Sequence, residues 1–536
     1  MKTIKKIYNS KIVSSLFVLL IASFSIIWAS DQSTNYKSLY EGLPFEMPIL
    51  EKVKFPDTKV SIVTHGGIAD GTFLNTEAFE KAMVDLDKKG GGTLIVPSGV
   101  WYTGPIVFRS NINLHLEKGA LILFSPDFEL YPLVTTSFEG LETRRCQSPI
   151  SGRNLENIAI TGEGAINGSG DAWRPLKRNK VTQGHWESVV KSGGVLKDGN
   201  LWLPSEKALK GYSEGVNNPD KSMTEEDWLA VKDFLRPVMI SFIECKNVLL
   251  EDVLFENSPS WNIHPLMCEN LIVDNISVRN PQYSQNGDGL DIESCKNVIV
   301  VDCSFDVGDD AICIKSGKDE DGRRRARPTE NVIVENCRVF KGHGGFVVGS
   351  EMSGGVRNIS VSNCQFMGTN IGLRFKSARG RGGVVENIYI KNINMFDLLY
   401  EPLSFDLYYF TKKSDIIPPV DETTPTFKNI YITGIVSRNS NKAMLFNGLP
   451  EKNIYNINIE NTIITSKLGA EISEAEKISL KNVEIYPENG PALILNNVKD
   501  IDVKDFKYPE NIDGDIVMIS GNRTKNVFLP KSLKKQ

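Results

Sequence analysis

From residue 245 onward, one pattern of polar and apolar positions recurs: a polar lead, an Asn, and then alternating β-branched residues. Successive copies read CKNVLLEDVLF, CENLIVDNISV, CKNVIVVDCSF, TENVIVENCRV, VRNISVSNCQF, VENIYIKNINM, FKNIYITGIVS and EKNIYNINIEN. Most copies are separated by about 23 to 29 residues, a spacing typical of repeat architectures. The repeated Asn positions are Asn247, Asn270, Asn297, Asn331, Asn358, Asn387, Asn429 and Asn453.

Each copy predicts two or three short strands separated by Gly, Asn or Asp turns, and none contains a helix long enough for a βαβ crossover. Short strands repeated at this period indicate an all-β solenoid of parallel strands, a β-helix. The alternation within each strand separates core-facing from outward-facing positions. We expect the repeated Asn side chains to stack and to hydrogen-bond along the solenoid.

Six of the eight Cys residues follow the same repeat. Three lie two residues before their Asn and three lie six residues after it, so they form two stacked rows. Side chains in such a row point the same way, which is poor disulfide geometry. We therefore expect free, buried thiols in these rows: Cys245, Cys268 and Cys295 in one, Cys303, Cys337 and Cys364 in the other. Cys146 and Cys313 are not assigned.

Two segments depart from the repeat. NTEAFEKAMVDLDKKGGG predicts an amphipathic helix with Thr76 as its N-cap and Gly as its stop, placed to cap the open end of the solenoid. Residues 172–234 interrupt the repeat and are rich in Trp, Lys and Glu; within them MTEEDWLAVKDFL predicts a helix. We interpret this segment as a large insertion that either decorates the solenoid or closes one end of a groove.

The N-terminus predicts a signal peptide over residues 1–30, because a Lys-rich start precedes an apolar run that ends in small residues. An uncleaved membrane anchor is the alternative. With cleavage, we expect a single β-helix domain over residues 31–536, exported to the periplasm or the cell exterior. No other stretch approaches the roughly 20 apolar residues that span a bilayer. The net charge of −5 gives no case for nucleic-acid binding, and we expect a monomer.

Four successive copies can be aligned on their second apolar pair: DGLDIES at 288–294, DAICIKS at 310–316, GGFVVGS at 344–350 and IGLRFKS at 371–377. One apolar row is Leu290, Ile312, Phe346 and Leu373; another is Ile292, Ile314, Val348 and Phe375. The alternate positions are expected to face outward: Asp291, Cys313, Val347 and Arg374 in one row, Glu293, Lys315, Gly349 and Lys376 in the next. Because parallel strands lie about 4.8 Å apart, this register gathers distant polar residues on one face. The gathered residues are Asp288, Asp309, Asp310, His343, Arg374 and Lys376.

Several carboxylates on one face suit glycoside hydrolysis, in which one carboxylic acid protonates the leaving oxygen and another carboxylate activates water or attacks the sugar. Crowding splits carboxylate pKa values, so that one group can hold a proton while its neighbours stay ionised. Arg374 and Lys376 add a cationic side that suits an anionic sugar such as a uronic acid. Each motif alone also fits a surface turn or strand; only the shared register favours a site.

NGDGLDI, VGDDAICIKSG, GHGG and RFK, in this order on a β-helix, resemble the motifs of glycoside hydrolase family 28, the polygalacturonase family. The resemblance extends from about residue 60 to about 410. It implies a right-handed parallel β-helix of the pectin-lyase-like type, which hydrolyses α-linked galacturonate with inversion and without a metal or other cofactor. The implied partner is a pectic poly- or oligosaccharide.

The resemblance also implies a role for each matching residue. Asp309 would be the general acid, Asp288 and Asp310 would position and deprotonate the water, and His343 would support the acid. For substrate binding it implies Arg374 and Lys376 at the galacturonate carboxylate, Asn286 from the NGD motif, and Tyr409 of FDLYYF, with Tyr408 as the neighbouring alternative.

The sequence departs from the family's NTD motif, because Gly287 stands where the family has Thr. Glycine loosens the local backbone but leaves Asp288 in place. The retained Asp pair favours galacturonate as the sugar on the reacting side, and the insertion at 172–234 favours cleavage from chain ends. The Arg-rich segment with Arg323, Arg324, Arg325 and Arg327 is either a solvated loop or a contact for a polyanionic chain.

Two other functions stay open at this point. A β-helix polysaccharide lyase would use Ca²⁺ and a Lys or Arg base, and no obvious calcium loop is present. A non-catalytic carbohydrate-binding β-helix would have no need of an aligned acid cluster.

Overall fold

The computed structural model describes residues 36–217, 222–414, 416–510 and 514–533. The predicted signal peptide at 1–30 lies outside these residues. The chain divides into two compact units at Leu43. The described part of the first contains a 3₁₀ helix at Tyr36–Tyr40, and the second, from Pro44 to Gln536, contains every strand described here.

The second unit is a parallel β-helix, as the repeat predicts. Its strands, numbered in chain order, hydrogen-bond to the equivalent strand of the next coil and so form three stacks. The first stack contains β1 (Lys59–Ser61), β2 (Gly92–Val96), β5 (Ile112–Leu116), β10 (Glu156–Thr161), β16 (Lys246–Glu251), β19 (Glu269–Asp274), β22 (Lys296–Val301), β25 (Thr329–Glu335), β28 (Val356–Ser362), β36 (Lys499–Lys507) and β38 (Lys525–Phe528).

The second stack contains β3 (Gly99–Thr103), β6 (Ala120–Phe124), β11 (Ala165–Asn167), β17 (Leu254–Glu256), β20 (Ser277–Arg279), β23 (Ser304–Asp306), β26 (Arg338–Lys341) and β29 (Gln365–Met367). The third contains β4 (Ile106–Val107), β9 (Ile150–Arg153), β15 (Ile240–Ile243), β18 (Ile263–Leu266), β21 (Leu290–Glu293), β24 (Asp310–Lys315), β27 (Gly344–Val348), β30 (Ile371–Lys376), β32 (Leu403–Asp406) and β37 (Val517–Ser520). Long strands bend from one stack to the next in the later coils: β31 (Val384–Phe396), β33 (Thr426–Asn447), β34 (Ile454–Ser473) and β35 (Ala475–Asn496).

The core lies inside the coils and consists of the inward residues of all three stacks. The six Cys of the two rows are part of this core and are free and buried, as expected. Cys146 and Cys313, which the repeat did not assign, are free and buried as well. Burial raises the pKa of the Cys146 thiol to about 12, and we therefore regard it as unreactive.

The Asn ladder forms at turns where the backbone is left-handed, a conformation that Asn tolerates better than most residues. From Asn247 to Asn387, each amide donates to the Asn of the preceding coil; Asn331, for example, donates to Asn297 at 3.0 Å and accepts from Asn358 at 3.1 Å. The prediction is wrong at Asn453. The ladder position of that coil is Asn456, which donates to Asn429 at 2.8 Å, because the lead of this repeat is three residues longer.

The predicted capping helix is α1 (Thr76–Lys88), and its apolar face joins the core. Its N-cap is Asn75 and not Thr76. The Asn75 side chain makes no cap bond and instead accepts from the Ile68 amide at 2.8 Å, which anchors the preceding loop.

The insertion at 172–234 forms a small lobe with its own apolar cluster. The predicted helix in MTEEDWLAVKDFL is confirmed in part, since it ends at Ala230 and continues as a 3₁₀ turn at Lys232–Phe234. The lobe contains β12 (Leu176–Lys177), β13 (Val195–Lys197), β14 (Leu201–Leu203), α2 (Gln183–Lys191), α3 (Glu206–Glu214) and α4 (Glu225–Ala230). Elsewhere, β7 (Leu133–Phe138) and β8 (Leu141–Cys146) form an antiparallel hairpin, and α5 (Asp319–Arg325) follows β24. Within the described ranges, no helix has the length and apolarity to cross a bilayer.

Candidate active site

The register predicted for the four coils is confirmed. Leu290 pairs with Ile312, Ile312 with Phe346, and Phe346 with Leu373, across β21, β24, β27 and β30 of the third stack. The residues just before and within these strands therefore line up along the solenoid. They form the floor of one cleft.

The cleft has a volume of about 570 Å³ and contains all eight residues predicted from the sequence. Its other lining residues come from the hairpin tip, from turns after the third-stack strands, and from the coil that follows β30. The complete lining is Glu139, Trp261, Asn286, Asp288, Asp309, Asp310, Lys315, Lys318, His343, Ser350, Glu351, Asn370, Ile371, Arg374, Lys376, Arg381, Tyr400, Tyr409 and Phe410.

Asp309 is the most accessible of the three clustered aspartates, with 24% of its side chain exposed. It precedes β24, and His343 takes the equivalent position before β27, so the two side chains meet across one coil spacing. His343 Nδ1 lies 2.9 Å from Asp309 Oδ1, and the His343 amide donates to the Asp309 carbonyl at 2.8 Å. This backbone bond fixes the pair, and the carboxyl group faces the cleft with a hydrogen-bonding partner beside it.

Asp310 begins β24 and is buried against two cations from β30. Lys376 Nζ donates to Asp310 Oδ2 at 2.6 Å, and Arg374 Nη1 donates to Oδ1 at 3.4 Å. Burial opposes ionisation of Asp310, but the charges of Lys376 and Arg374 outweigh it and hold the pKa of this carboxyl well below its usual range. The two cations therefore favour the ionised form of Asp310.

Asp288 has the opposite electrostatic character. Burial, together with the neighbouring Asp291 and Asp309, raises its pKa well above the usual range, while Lys315 at 3.8 Å only partly compensates. One oxygen each from Asp288, Asp309 and Asp310 lies within 4.8 Å of the others. The cluster thus combines one buried group that resists ionisation with one that is firmly ionised, as acid–base sites require. Three such carboxylates could also bind a metal cation. In this cleft, the side chains of Lys376, Arg374 and Lys315 lie next to them and supply positive charge.

Gly287 in the NGD motif is dictated by its surroundings. A Cβ at this position would lie 2.8 Å from Ser284 Cβ and closer still to its hydroxyl. Ser284 is itself buried, so a Thr here would displace the turn that carries Asp288. Asn286 lines the cleft, but its amide oxygen accepts from Arg236 at 2.9 Å, which anchors the same turn.

Tyr409 lies where the resemblance predicts a cleft tyrosine. Its ring centroid is 5.5 Å from the Arg374 guanidinium and 5.0 Å from Lys376 Nζ. Tyr408, the alternative, is outside the cleft, and its hydroxyl group lies 3.4 Å from Arg379 Nη2.

The alternate rows face outward from the core, as expected, but in the first coils they do not reach solvent. Asp291, Cys313, Val347, Glu293 and Lys315 are all outside the core but buried, because other segments cover this face of the third stack. Lys315 Nζ lies 3.8 Å over the Trp261 ring and 3.2 Å from an Asp291 oxygen, without hydrogen-bond alignment.

A second buried group, which sequence reasoning missed, lies on the same face. His264 Nε2 is 2.8 Å from Glu293 Oε2, and Arg325 donates to Glu293 Oε1 at 2.6 Å. Burial works against ionisation of Glu293, yet His264 and Arg325 lower its pKa to about 2. The sequence signal was available in the strand IHPL, where a His stands in an apolar run.

The Arg-rich segment is not the solvated loop that was one interpretation of it. Arg323, Arg324 and Arg325 form the last turn of α5, and Arg327 follows it. Three of these arginines bond to other segments: Arg323 donates to the Gly380 carbonyl at 2.7 Å, Arg325 to Glu293, and Arg327 to the Met267 carbonyl at 2.9 Å. These arginines fasten the covering segments to the coils.

The hairpin β7–β8, not the insertion, closes the cleft laterally. Lys318 N donates to the Gly140 carbonyl at 3.0 Å, and a Cβ on Gly140 would lie 2.7 Å from that nitrogen. Phe138 stacks on Trp261 with centroids 4.9 Å apart. Of the described insertion residues, none lines the cleft; Asn217 instead contacts Glu139 and Arg145 and supports the hairpin from behind.

Comparisons with known proteins agree with the site. Residues 230–507 match the family model of glycosyl hydrolases family 28. Among curated relatives, a probable polygalacturonase of Vitis vinifera is 28% identical over 75% of this chain and 74% of its own length. An exo-poly-alpha-D-galacturonosidase of Dickeya chrysanthemi is 27% identical over 74% of this chain and 65% of its own.

Among solved structures, a hyperthermoactive exopolygalacturonase from Thermotoga maritima is 33% identical, with a TM-score of 0.68, covering 84% of this chain and 96% of that one. A family 28 exopolygalacturonase from Yersinia enterocolitica shares the fold at 21% identity and a TM-score of 0.63, covering 87% of this chain and 78% of that one. The chain therefore belongs to glycosyl hydrolases family 28 and is a glycoside hydrolase.

Proposed function

We propose that this enzyme removes galacturonate from the ends of pectic chains by inverting hydrolysis. The observation that carries the proposal is the cluster of Asp288, Asp309 and Asp310 beside Arg374 and Lys376 in one cleft. Carboxylates supply the acid and base of glycoside hydrolysis, and the two cations suit the carboxylate of a uronic acid. Membership of family 28 argues against the lyase and the non-catalytic binding protein as alternatives.

Asp309 is the proposed general acid. It faces the cleft, and His343 holds its Oδ1, so the other oxygen is available to protonate the leaving glycosidic oxygen. Asp288 and Asp310 are the proposed partners of the attacking water. Asp310 stays ionised beside Lys376 and Arg374 and can accept a proton from the water, while Asp288, which resists ionisation, positions the water.

The inverting stereochemistry is proposed from membership of glycosyl hydrolases family 28 and not from the distances between the carboxyl groups. The closest oxygens of the three aspartates lie within 4.8 Å, whereas inverting enzymes commonly have carboxyl groups roughly 6.5–9.5 Å apart. The anomeric configuration of the first product, followed by NMR before mutarotation, tests this step directly. A β-anomer from an α-linked substrate is expected, and a first-formed α-anomer would contradict it.

Cleavage from chain ends is supported by the hairpin. Its tip, at Glu139 and Gly140, contacts Lys318 beyond β24 and stands across the side of the cleft formed by the earlier coils. Phe138 and Trp261 fill the space behind the tip. A sugar chain bound at Asp309 would thus meet a wall on one side, so only a terminal residue fits there.

We further propose export and a monomeric state. The Lys-rich start followed by an apolar run and Ala29-Ser30 indicates a cleaved signal peptide, and polymeric pectin is found outside the cytoplasm. Mass spectrometry of the mature N-terminus in the producing cell tests cleavage, and light scattering tests the monomer.

Product analysis on defined galacturonate oligomers tests the function. Stepwise release of monogalacturonate from trimers and tetramers is expected; mixed internal products would contradict cleavage from chain ends. Asp309→Asn should lower kcat by roughly 10³-fold or more with an unchanged melting temperature. Asp306→Asn, an exposed aspartate three residues earlier, is the matched control and should keep full activity. An active Asp309→Asn enzyme would contradict the assignment of the acid.

A further inference from the structure

The later coils give the cleft an aromatic margin that the proposed chemistry does not use. Phe410 lines the cleft and is 91% exposed. Tyr400 lines the same cleft from the turn after β31 and is 46% exposed. Large aromatic side chains are normally buried, and exposure of two of them at the mouth of a cleft indicates a ligand contact.

Phe410 is also held in an unfavourable backbone conformation. Its φ is +58°, and among the residues that the structure describes it is the only aromatic with positive φ. A bulky side chain in this region costs on the order of 1 kcal/mol or more, and such strain concentrates at functional sites. The turn enforces it, since Thr411 N donates to the Tyr408 carbonyl at 2.8 Å and Tyr409 N donates to the Ser377 carbonyl at 3.0 Å.

This turn places the Tyr409 ring between the two cations of the cleft and the exposed Phe410 ring. Tyr409 lies beside Arg374 and Lys376, and the Phe410 ring follows at 4.0 Å from the Tyr409 ring. The opposite side of the cleft is closed by the hairpin and carries charged residues. A chain bound at Asp309 can therefore extend only toward the aromatic margin.

We propose that Phe410 is a specificity-determining residue that stacks on the sugar next beyond the one held by Arg374 and Lys376. The apolar face of a sugar ring packs on an aromatic ring without needing a particular charge or hydroxyl pattern, so such a platform favours longer chains over shorter ones. This inference rests on the proposed function, since the ligand is a chain of sugars ending at the carboxylate cluster.

The test compares substrates of two lengths. A dimer reaches from the hairpin side only to the cations, whereas a trimer would also reach Phe410. Phe410→Asn removes the ring and places a residue that tolerates positive φ, so folding should not suffer. The ratio of kcat/KM for trigalacturonide to that for digalacturonide should fall about ten-fold, the size expected when one aromatic ring no longer packs on the sugar.

Two further variants provide controls. Phe410→Trp keeps an aromatic face and should retain the wild-type ratio. Phe528→Ala removes a ring that is 61% exposed on β38 and does not line the cleft, and it should leave both rates unchanged.

If the kcat/KM ratio were the same in Phe410→Asn and wild type, Phe410 would not be a platform for the third sugar. The same holds if kcat/KM fell equally for both substrate lengths. Either result would leave the proposed hydrolase function unaffected. A wild-type enzyme that hydrolyses neither oligomer would instead overturn the proposed function. Binding of trigalacturonide to inactive Asp309→Asn, with and without Phe410→Asn, then checks the platform independently by calorimetry; equal affinities would overturn it.

Discussion

The coils from β21 to β30 and the coils from β33 to β35 follow the same repeat but differ on the outer face of the third stack. In one row of this face, Asp291, Cys313 and Val347 of the first coils are fully buried. In the later coils the same row continues through Leu445, Glu471, Ile494 and Met518, of which Met518 is 49% exposed and the others are half-buried.

The strands themselves do not cause this difference, because the pairing register is continuous from one region to the other. The cause is what covers the strands. The hairpin β7–β8 and helix α5 cover the first coils, and the charges placed under them are removed from water. Buried charges are costly unless partnered, and this face accordingly holds ion pairs such as Lys376–Asp310 and Arg325–Glu293. The covering segments thus turn an ordinary solenoid surface into a site.

The largest expected effect comes from breaking the charge pairing in the covered region. Lys376→Met removes the nearer of the two ion-pair partners of Asp310, which raises the pKa of Asp310, and removes a proposed contact to the substrate carboxylate. We expect kcat/KM on galacturonate oligomers to fall roughly 10³-fold. Initial-rate kinetics, together with a melting curve to verify folding, provide the measurement.

The matched substitution in the uncovered region is Asn496→Met. Asn496 takes the position of Lys376 four coils later in the same row. The Asn496→Met substitution should leave kcat/KM on galacturonate oligomers unchanged. If both substitutions had the same effect on activity, the contrast between the two regions would be false.

The repeat allowed the register, the free thiols and most of the Asn ladder to be predicted, because these depend only on contacts between equivalent positions of adjacent coils. The same register brought Asp288, Asp309, His343 and Lys376 together, although they are distant in sequence. Lys315 and Glu293 were placed in the correct outward rows, but their burial was not predicted, because the repeat pattern does not encode which other segments pack over the coils.

The role of the hairpin was missed for a related reason. Residues 133–146 match no copy of the repeat, and their contact with Lys318 joins segments almost 180 residues apart (Glu142 and Asp321 are separated by 179). The insertion at 172–234 stood out by composition, but it acts through Asn217 on the hairpin and not on the cleft. Contacts between non-repeating loops that are distant in sequence leave no local sequence pattern from which they could be predicted.

A smaller effect should follow from the buried carboxyl of Asp291. Burial raises its pKa to about 7, despite Lys315, from a usual value of 3.8. Between these values the folded protein retains a proton that the unfolded chain has released, so this group makes stability fall as pH rises. Asp291→Asn should therefore raise Tm relative to wild type more at pH 8 than at pH 4.5, as measured by calorimetry.

Ser404→Ala is the control for that measurement, since Ser404 continues the row of Asp291 and does not titrate. Its effect on Tm should be the same at both pH values. If the difference in Tm between Asp291→Asn and wild type did not depend on pH, the carboxyl of Asp291 would not be retaining a proton in the folded state.

The smallest expected effect lies in the later coils, where the Asn ladder is interrupted at Lys477. This residue pairs with the ladder position of Asn456, and its φ is +56°, a conformation that favours Asn over Lys. Lys477→Asn should restore a donor to Asn456 and relieve the backbone, raising Tm by about 1 °C in a chain of this size. The substitution also removes the hydrogen bond from Lys477 to the Tyr455 hydroxyl group, but this bond is exposed and contributes little. Lys477→Gly is the control, because glycine relieves the backbone strain without supplying the side-chain amide. A larger rise in Tm for Asn than for Gly would therefore be due to the ladder hydrogen bond. An equal or smaller rise for Asn would mean that the ladder adds no stability in the uncovered coils.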